Sequence, residues 1–194
     1  TTSASAVPLT IQRVHNNNVI VEYKNTTSNM FAGLAGDALG WGVGTAANLG
    51  SSSNNKFIVR RDTGNIGVGV LNPEQKLDVD GTIRFGTSNI SSGTYTFTAS
   101  AGSAVTADST AVGNATAIEY TIFISNGSNI QSQKVLIMDN GTSAYSQEFA
   151  MMSNPNMIAT FSADVNSGNV RLRATPETGI SGSTTIKFTK MIIE

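Results

Sequence analysis

From Ile158 to Ala174 the chain alternates between apolar and small or polar residues. Ala159, Phe161, Ala163 and Val165 fall on one side, Asn166-Ser167-Gly168-Asn169 reverses the chain, and Val170, Leu172 and Ala174 then alternate with Arg171 and Arg173. A period of two sends successive side chains to opposite faces, so this segment predicts a hairpin with one buried face. The pattern recurs. Thr94 to Ala99 carries Tyr95 and Phe97, and Ala117 to Ser125 places Ile118, Tyr120, Ile122 and Ile124 together. Gln133 to Met138 ends at the turn Asp139-Asn140-Gly141, followed by runs from Ala144 to Met152 and from Thr184 to Ile193. Short strands at this spacing predict an antiparallel β-sandwich over residues 89–194. A segment of about 100 residues is long enough for one core.

Residues 1–88 differ in character. Leu9 and Ile11 alternate with polar neighbours, His15-Asn16-Asn17-Asn18 signals a turn, and Val19, Val21 and Tyr23 alternate with Ile20, Glu22 and Lys24. A polar break spans Asn25 to Asn29. Between Met30 and Gly50, Phe31, Leu34, Leu39, Trp41, Val43 and Leu49 are scattered among glycines and alanines. Each interior glycine costs a helix roughly 1 kcal/mol relative to alanine, so short strands with tight turns are expected. Phe57 to Arg60, the turn Asp62 to Asn65, and Ile66 to Val70 read as strand, turn, strand. Asn72-Pro73-Glu74-Gln75-Lys76 predicts one helical turn, with Asn72 as cap and Pro73 in first position. Leu77 to Phe85 predicts a single strand with Leu77, Val79, Ile83 and Phe85 on one face, and Gly86 to Gly93 reads as a polar linker. Apolar residues are sparse here, while ordering the backbone costs roughly 1–2 kcal/mol per residue. Sharing a core between identical chains offsets that cost.

Composition narrows the function classes. Charged residues make up 13% of the chain, about half the usual share, so Ser, Thr, Asn and Gly must cover the surface. A net charge of −1 gives no electrostatic case for nucleic acid or anionic lipid. No apolar run approaches the ~18 residues of a membrane-spanning helix. The lack of cysteine removes disulfides, thiolate catalysis and cysteine zinc sites, and fits assembly in a reducing cytosol. The start at Thr1 reads as a fragment or a processed chain.

The stretch from Asp62 to Arg84 carries one specific motif: Gly64-Asn65-Ile66-Gly67-Val68-Gly69, then Pro73, then Lys76-Leu77-Asp78-Val79-Asp80-Gly81. It resembles a motif of bacteriophage tail fibres and related virion appendages. Val70-Leu71-Asn72 departs from the small polar residues that the family often has there. The upstream stretch Pro8 to Asn25 is similar to the repeat that precedes this motif in such fibres. The resemblance implies an intertwined, trimeric β-rich shaft or attachment part over residues 1–88, followed by the sandwich as a head. It implies a virion location, with the chain itself and other virion proteins as partners, and a host-surface glycan or protein as a further one. The expected trimer interface comprises Ile66, Val68, Val70, Leu77, Val79, Ile83 and Phe85. The helical self-cleaving chaperone that follows in some family members has no counterpart in this β-rich continuation.

Other constellations point away from catalysis. Gly40-Trp41-Gly42-Val43-Gly44 lacks the Lys-Ser/Thr and the strand–helix setting of a phosphate loop. Asp78 and Asp80 lack the further oxygen ligands that a calcium ion takes. His15, the single histidine, sits in a run of asparagines and reads as a surface residue. Glu119, Asp139, Glu148, Asp164 and Glu177 show none of the pairing that glycoside hydrolysis uses. The expectation is a non-enzyme without cofactor or metal. A carbohydrate-binding adhesin is the alternative, and a polysaccharide depolymerase stands behind it. Trp41 is the aromatic most suited to a ligand surface, and Arg171 with Arg173 could face an acidic ligand or a neighbouring subunit.

Overall fold

The computed structural model describes residues 19–34, 41–45 and 55–194. The strand expected at Leu9 and Ile11, the turn at His15, and Leu39 and Leu49 lie outside the described residues. All regular structure among the described residues is β. The chain divides into two compact units between Gly81 and Thr82.

The first unit is one mixed sheet, with strands in chain order: β1 (Val19–Lys24), β2 (Asn29–Leu34), β3 (Trp41–Gly44), β4 (Asn55–Val59), β5 (Ile66–Val68) and β6 (Leu77–Val79). The polar break between β1 and β2 is a hairpin turn. Asn25 Oδ1 accepts from the backbone N–H of Thr27 at 2.9 Å and of Ser28 at 2.8 Å, which is the turn chemistry asparagine supplies. β5 and β6 run parallel, so the chain must cross over between them.

That crossover is a loop, not the expected helical turn. The cap is spent elsewhere: Asn72 Oδ1 accepts from Arg60 Nη1 at 3.1 Å. Asn65 Nδ2 donates to the Pro73 carbonyl at 3.0 Å, and Asp78 Oδ2 accepts from the Glu74 N–H at 3.1 Å. Tertiary bonds thus hold Asn72–Lys76 open. The expected single strand from Leu77 to Phe85 is also corrected. Gly81 sits at φ 138°, a conformation that side chains resist, and the strand breaks there. β6 ends at Val79, and Ile83 starts a strand of another sheet.

The second unit holds β7 (Ile83–Phe85), β8 (Ser88–Ser100), β9 (Val105–Ala111), β10 (Ala117–Asn126), β11 (Asn129–Asp139), β12 (Ala144–Asn154), β13 (Ala159–Asn166), β14 (Asn169–Pro176) and β15 (Ser181–Ile193). They form a six-stranded sheet, β12-β11-β10-β15-β8-β7, and a three-stranded sheet, β13-β14-β9. Every pairing is antiparallel. Ile118, Tyr120, Ile122 and Ile124 of β10, Ile137 of β11 and Ile186 of β15 meet Phe161 of β13 and Leu172 of β14 in one buried core. The expected hairpin is β13–β14. Ser167 and Gly168 both have positive φ, at 51° and 75°, as a two-residue hairpin turn matched to strand twist requires.

The expected linker Gly86 to Gly93 is corrected. Ser88 to Gly93 belongs to β8 and pairs with β15 from Ile193 to Phe188. A polar run makes a good strand when its partner brings the apolar group: a Cβ on Gly93 would lie 2.4 Å from the Phe188 ring. β9 has no counterpart among the expected strands, because Val105-Thr106-Ala107-Asp108-Ser109-Thr110-Ala111 is mostly small residues and its inner face carries a charged one, Asp108, which bonds Tyr120 and Lys190.

One seam between the sheets is polar. Gln131 and Gln133 of β11 are buried, and Gln133 Nε2 donates to Glu148 of β12. Glu148 Oε2 accepts from the Phe161 N–H at 2.8 Å, and Ser146 Oγ accepts from the Ala163 N–H at 3.1 Å. Side chains of β11 and β12 thereby satisfy the outer N–H groups of β13, which has no strand on that side. An unpaired strand edge is a site for wrong pairing, and this seam covers it.

Candidate functional site

Directly opposed residues in neighbouring strands share a sheet face. In the first unit one row runs Val19, Leu34, Trp41, Val59, Ile66, Leu77, and the next runs Val21, Ala32, Val43, Phe57, Val68, Val79. Both rows cross all six strands and contain only apolar side chains. None of these residues is buried, and Leu77 is 57% exposed. Apolar faces of this kind mark interaction surfaces, because burying them is worth roughly 25 cal/mol per Å². Four of the expected interface residues, Ile66, Val68, Leu77 and Val79, lie on this face, and Val70 is half-buried just after β5.

The motif's glycines build the opposite side. Gly67 is buried over Ile58, and a Cβ there would stand 2.1 Å from the Val70 carbonyl oxygen. Gly69 has φ 73°. Lys76 Nζ donates to the Thr63 carbonyl at 2.7 Å, and Arg60 forks onto Asp62 at 2.8 and 3.1 Å. That guanidinium holds the Asp62 carboxyl down at about 2. The motif is therefore a small clip that presents Ile66 and Val68 beside Leu77 and Val79.

The second unit has its own apolar band on the outer face of its six-stranded sheet. One row reads Ile83, Ile90, Met191, Glu119, Leu136, and the next Phe85, Ser88, Ile193, Ala117, Met138, Tyr145. Its large exposed members range from Leu136 at 42% to Phe85 at 65%. Farther along the same face Ser92, Thr189, Thr121 and Lys134 follow, and beyond them Phe123, Ile130 and Met152 expose a second apolar cluster at the other end. Ile83 and Phe85, expected on the same strand as Leu77, lie here instead.

A polar cavity of about 480 Å³ opens between β8, β9 and β15, lined by Arg84, Asn89, Ser91, Ser109, Asn114 and Lys190 among others. Behind it Asp108 Oδ2 accepts from Tyr120 Oη at 2.8 Å and from Lys190 Nζ at 2.7 Å. Burial, then the Asp108 charge, push the Tyr120 phenol well above its ordinary range. At the rim Arg84 Nη2 meets Glu194 Oε2 at 2.6 Å.

The other candidates are engaged structurally. Trp41 lies on the apolar face of the first unit, edge-on to Phe57 with centroids 6.1 Å apart. Arg171 donates both Nε and Nη2 to Asp164 at 2.6 Å, which holds the Asp164 carboxyl below its usual range. Arg173 donates to Thr106 and to the Ala104 carbonyl. The two arginines share the outer face of the three-stranded sheet, as their spacing predicts. The polar cavity was not visible in the sequence, since its walls come from strands far apart in the chain.

No family model matches this chain, and no curated protein matches it. Among solved structures, the tailspike protein of Acinetobacter phage vB_ApiP_P1 is similar, at 17% identity and a TM-score of 0.40. The match covers 52% of this chain and 22% of the tailspike, so it spans about a fifth of that protein's length.

Proposed function

We propose that this chain is a structural module of a phage virion appendage, a tail fibre or a related projection, that assembles with two further copies of itself. The observation that carries the reading is the apolar face of the first unit, none of whose twelve residues is buried, with the fibre-like motif supplying four of them. Such a face leaves the single chain short of a core, and identical copies bring an identical face to cover it. The band from Phe85 to Tyr145 on the second unit offers a further surface for the same contacts. Burial of both would make a stiff, charge-poor trimer that acts mechanically, with neighbouring virion proteins and the host surface as its outside partners.

The engagement of the acids supports a role without chemistry. Glu119 pairs with Lys134 at 2.5 Å, Asp139 Oδ1 accepts from the Gly141 N–H, Asp164 holds Arg171, and Glu148 satisfies the β13 edge. Light scattering on the full chain tests the proposal. Three chain masses are expected, falling to one when Val68→Lys and Leu77→Lys are combined. A stable single-chain species of the unaltered protein at micromolar concentration would overturn it.

A further inference from the structure

We propose that Asn140 is a self-modification site: the turn between β11 and β12 is arranged to convert it to aspartate and isoaspartate with loss of ammonia. The sequence holds two Asn-Gly steps, Asn126-Gly127 and Asn140-Gly141. Glycine lacks the Cβ that would hinder attack by its own backbone nitrogen, so both steps are open by sequence alone. The structure separates them.

Asn140 and Gly141 are exposed. Asn140 Oδ1 accepts three bonds: from the Thr142 N–H at 3.1 Å, from Thr142 Oγ1 at 3.0 Å and from the Ser143 N–H at 2.9 Å. Donors fixed on a carbonyl oxygen stabilise the negative charge that gathers there when a nucleophile adds. The attacking atom is Gly141 N, and its N–H points at Asp139 Oδ1, 2.8 Å away. A carboxylate therefore stands where the departing proton must go. Among the described residues Asn140 Nδ2 has no hydrogen-bond partner, so nothing retains the leaving group. Asn126 has the opposite arrangement. Its Nδ2 donates to the Ser181 carbonyl at 2.9 Å, the Ser183 carbonyl at 3.3 Å and Thr184 Oγ1 at 2.7 Å. Those bonds retain the leaving group, and none of them polarises Asn126 Oδ1.

The reaction balances with water as its only co-reactant. Gly141 N forms a bond to Asn140 Cγ while its proton passes to Asp139. The Cγ–Nδ2 bond then breaks, and Nδ2 takes that proton and leaves as ammonia. Water opens the resulting succinimide at either carbonyl, giving aspartate or isoaspartate. Each chain reacts once, so Asp139 acts on its own turn and turns over no substrate. The product places a second carboxylate beside Asp139, at the rim of the apolar band that holds Met138 and Tyr145. An aged chain thus differs from a new one at that surface.

Peptide mapping by mass spectrometry on the full chain, incubated at neutral pH, tests the site. Asn140 should convert roughly tenfold faster than Asn126 in the folded chain, because the turn's donors act on one site alone. In the same chain unfolded in urea the two sites should convert at comparable rates, since only the local sequence then acts. Thr142→Val and Asp139→Ser, whose circular dichroism should match the parent, should each slow Asn140 by about threefold or more by removing a group that assists addition. Conversion of Asn140 no faster than that of Asn126 in the folded chain overturns the proposal. So does an Asn140 that reacts more slowly folded than unfolded, or one whose rate survives both variants.

Discussion

The Gln131 carboxamide meets the backbone of Ala159 as a neighbouring peptide group would. Its Nε2 donates to the Ala159 carbonyl at 2.6 Å, and its Oε1 accepts from the Ala159 N–H at 3.1 Å. The same oxygen also accepts from the Ile158 N–H. A side chain of β11 thus acts as a short piece of strand beside β13. Replacing Gln131 by Leu keeps the volume and strands these buried groups. Each unsatisfied buried group costs roughly 1–3 kcal/mol, so Gln131→Leu should destabilise the second unit by about 3 kcal/mol. The check is the urea midpoint, which should fall with little change in slope.

Asp108 is the hinge of a second buried network, and its two donors are not equivalent. Tyr120→Phe leaves Lys190 in place and should cost roughly 1.5 kcal/mol, the low end for a hydrogen bond to a charged group, because the carboxylate keeps its counter-charge. Lys190→Met leaves a mostly buried carboxylate without its counter-charge and should cost roughly 2–3 kcal/mol. That figure is below the value for a fully buried pair, because 15% and 19% of the two side chains remain exposed. Thermal unfolding of both variants should rank Lys190→Met below Tyr120→Phe, and the reverse order would contradict this role.

Two glycines are set by space rather than by dihedral freedom. Gly67→Ala forces a Cβ to 2.1 Å from the Val70 carbonyl oxygen, and backbone at that point cannot swing aside as a side chain can. The motif clip should open, and the amide hydrogens of β5 and β6 should lose their exchange protection. Gly93→Ala drives the Phe188 ring from its place and should cost roughly 1–3 kcal/mol through overpacking, measured by denaturant unfolding.

The Arg60–Asp62 fork makes a pH prediction. The folded carboxyl lies below its unfolded value, so the stabilisation it gives is present above about pH 4 and is lost as pH falls toward 2. Carboxyl-carbon NMR should find the Asp62 midpoint near 2, and Arg60→Gln should return it toward the ordinary aspartate value. Asp62 is 51% exposed, so the effect on global unfolding should be small.

Sequence periodicity located the β13–β14 hairpin, its turn and the apolar face of β10, because an antiparallel strand with one wet face writes its burial into alternate positions. The resemblance to the fibre motif, not periodicity, singled out Ile66, Val68, Leu77 and Val79, which lie on the apolar face of the first unit. The local pattern placed a helical turn at Asn72, where Arg60 takes the capping oxygen instead. It joined Leu77 and Phe85 in one strand, where Gly81 at φ 138° separates them. It passed over β9, because a strand of mostly small residues with the charged Asp108 on its inner face shows no apolar contrast between its faces.

Local chemistry, then, determined the all-β character, the principal turns and the apolar residues available for burial. Those features depend on neighbours one or two positions away. Only the tertiary structure decided which apolar side chains form rows across a sheet. A row such as Val19, Leu34, Trp41, Val59, Ile66, Leu77 takes one residue from each of six strands, and its members become neighbours only when the register of every pair is set. The polar cavity was decided in the same way. Arg84 and Glu194 stand at opposite ends of the second unit's sequence, and the pairing of β8 with both β7 and β15 brings them to 2.6 Å.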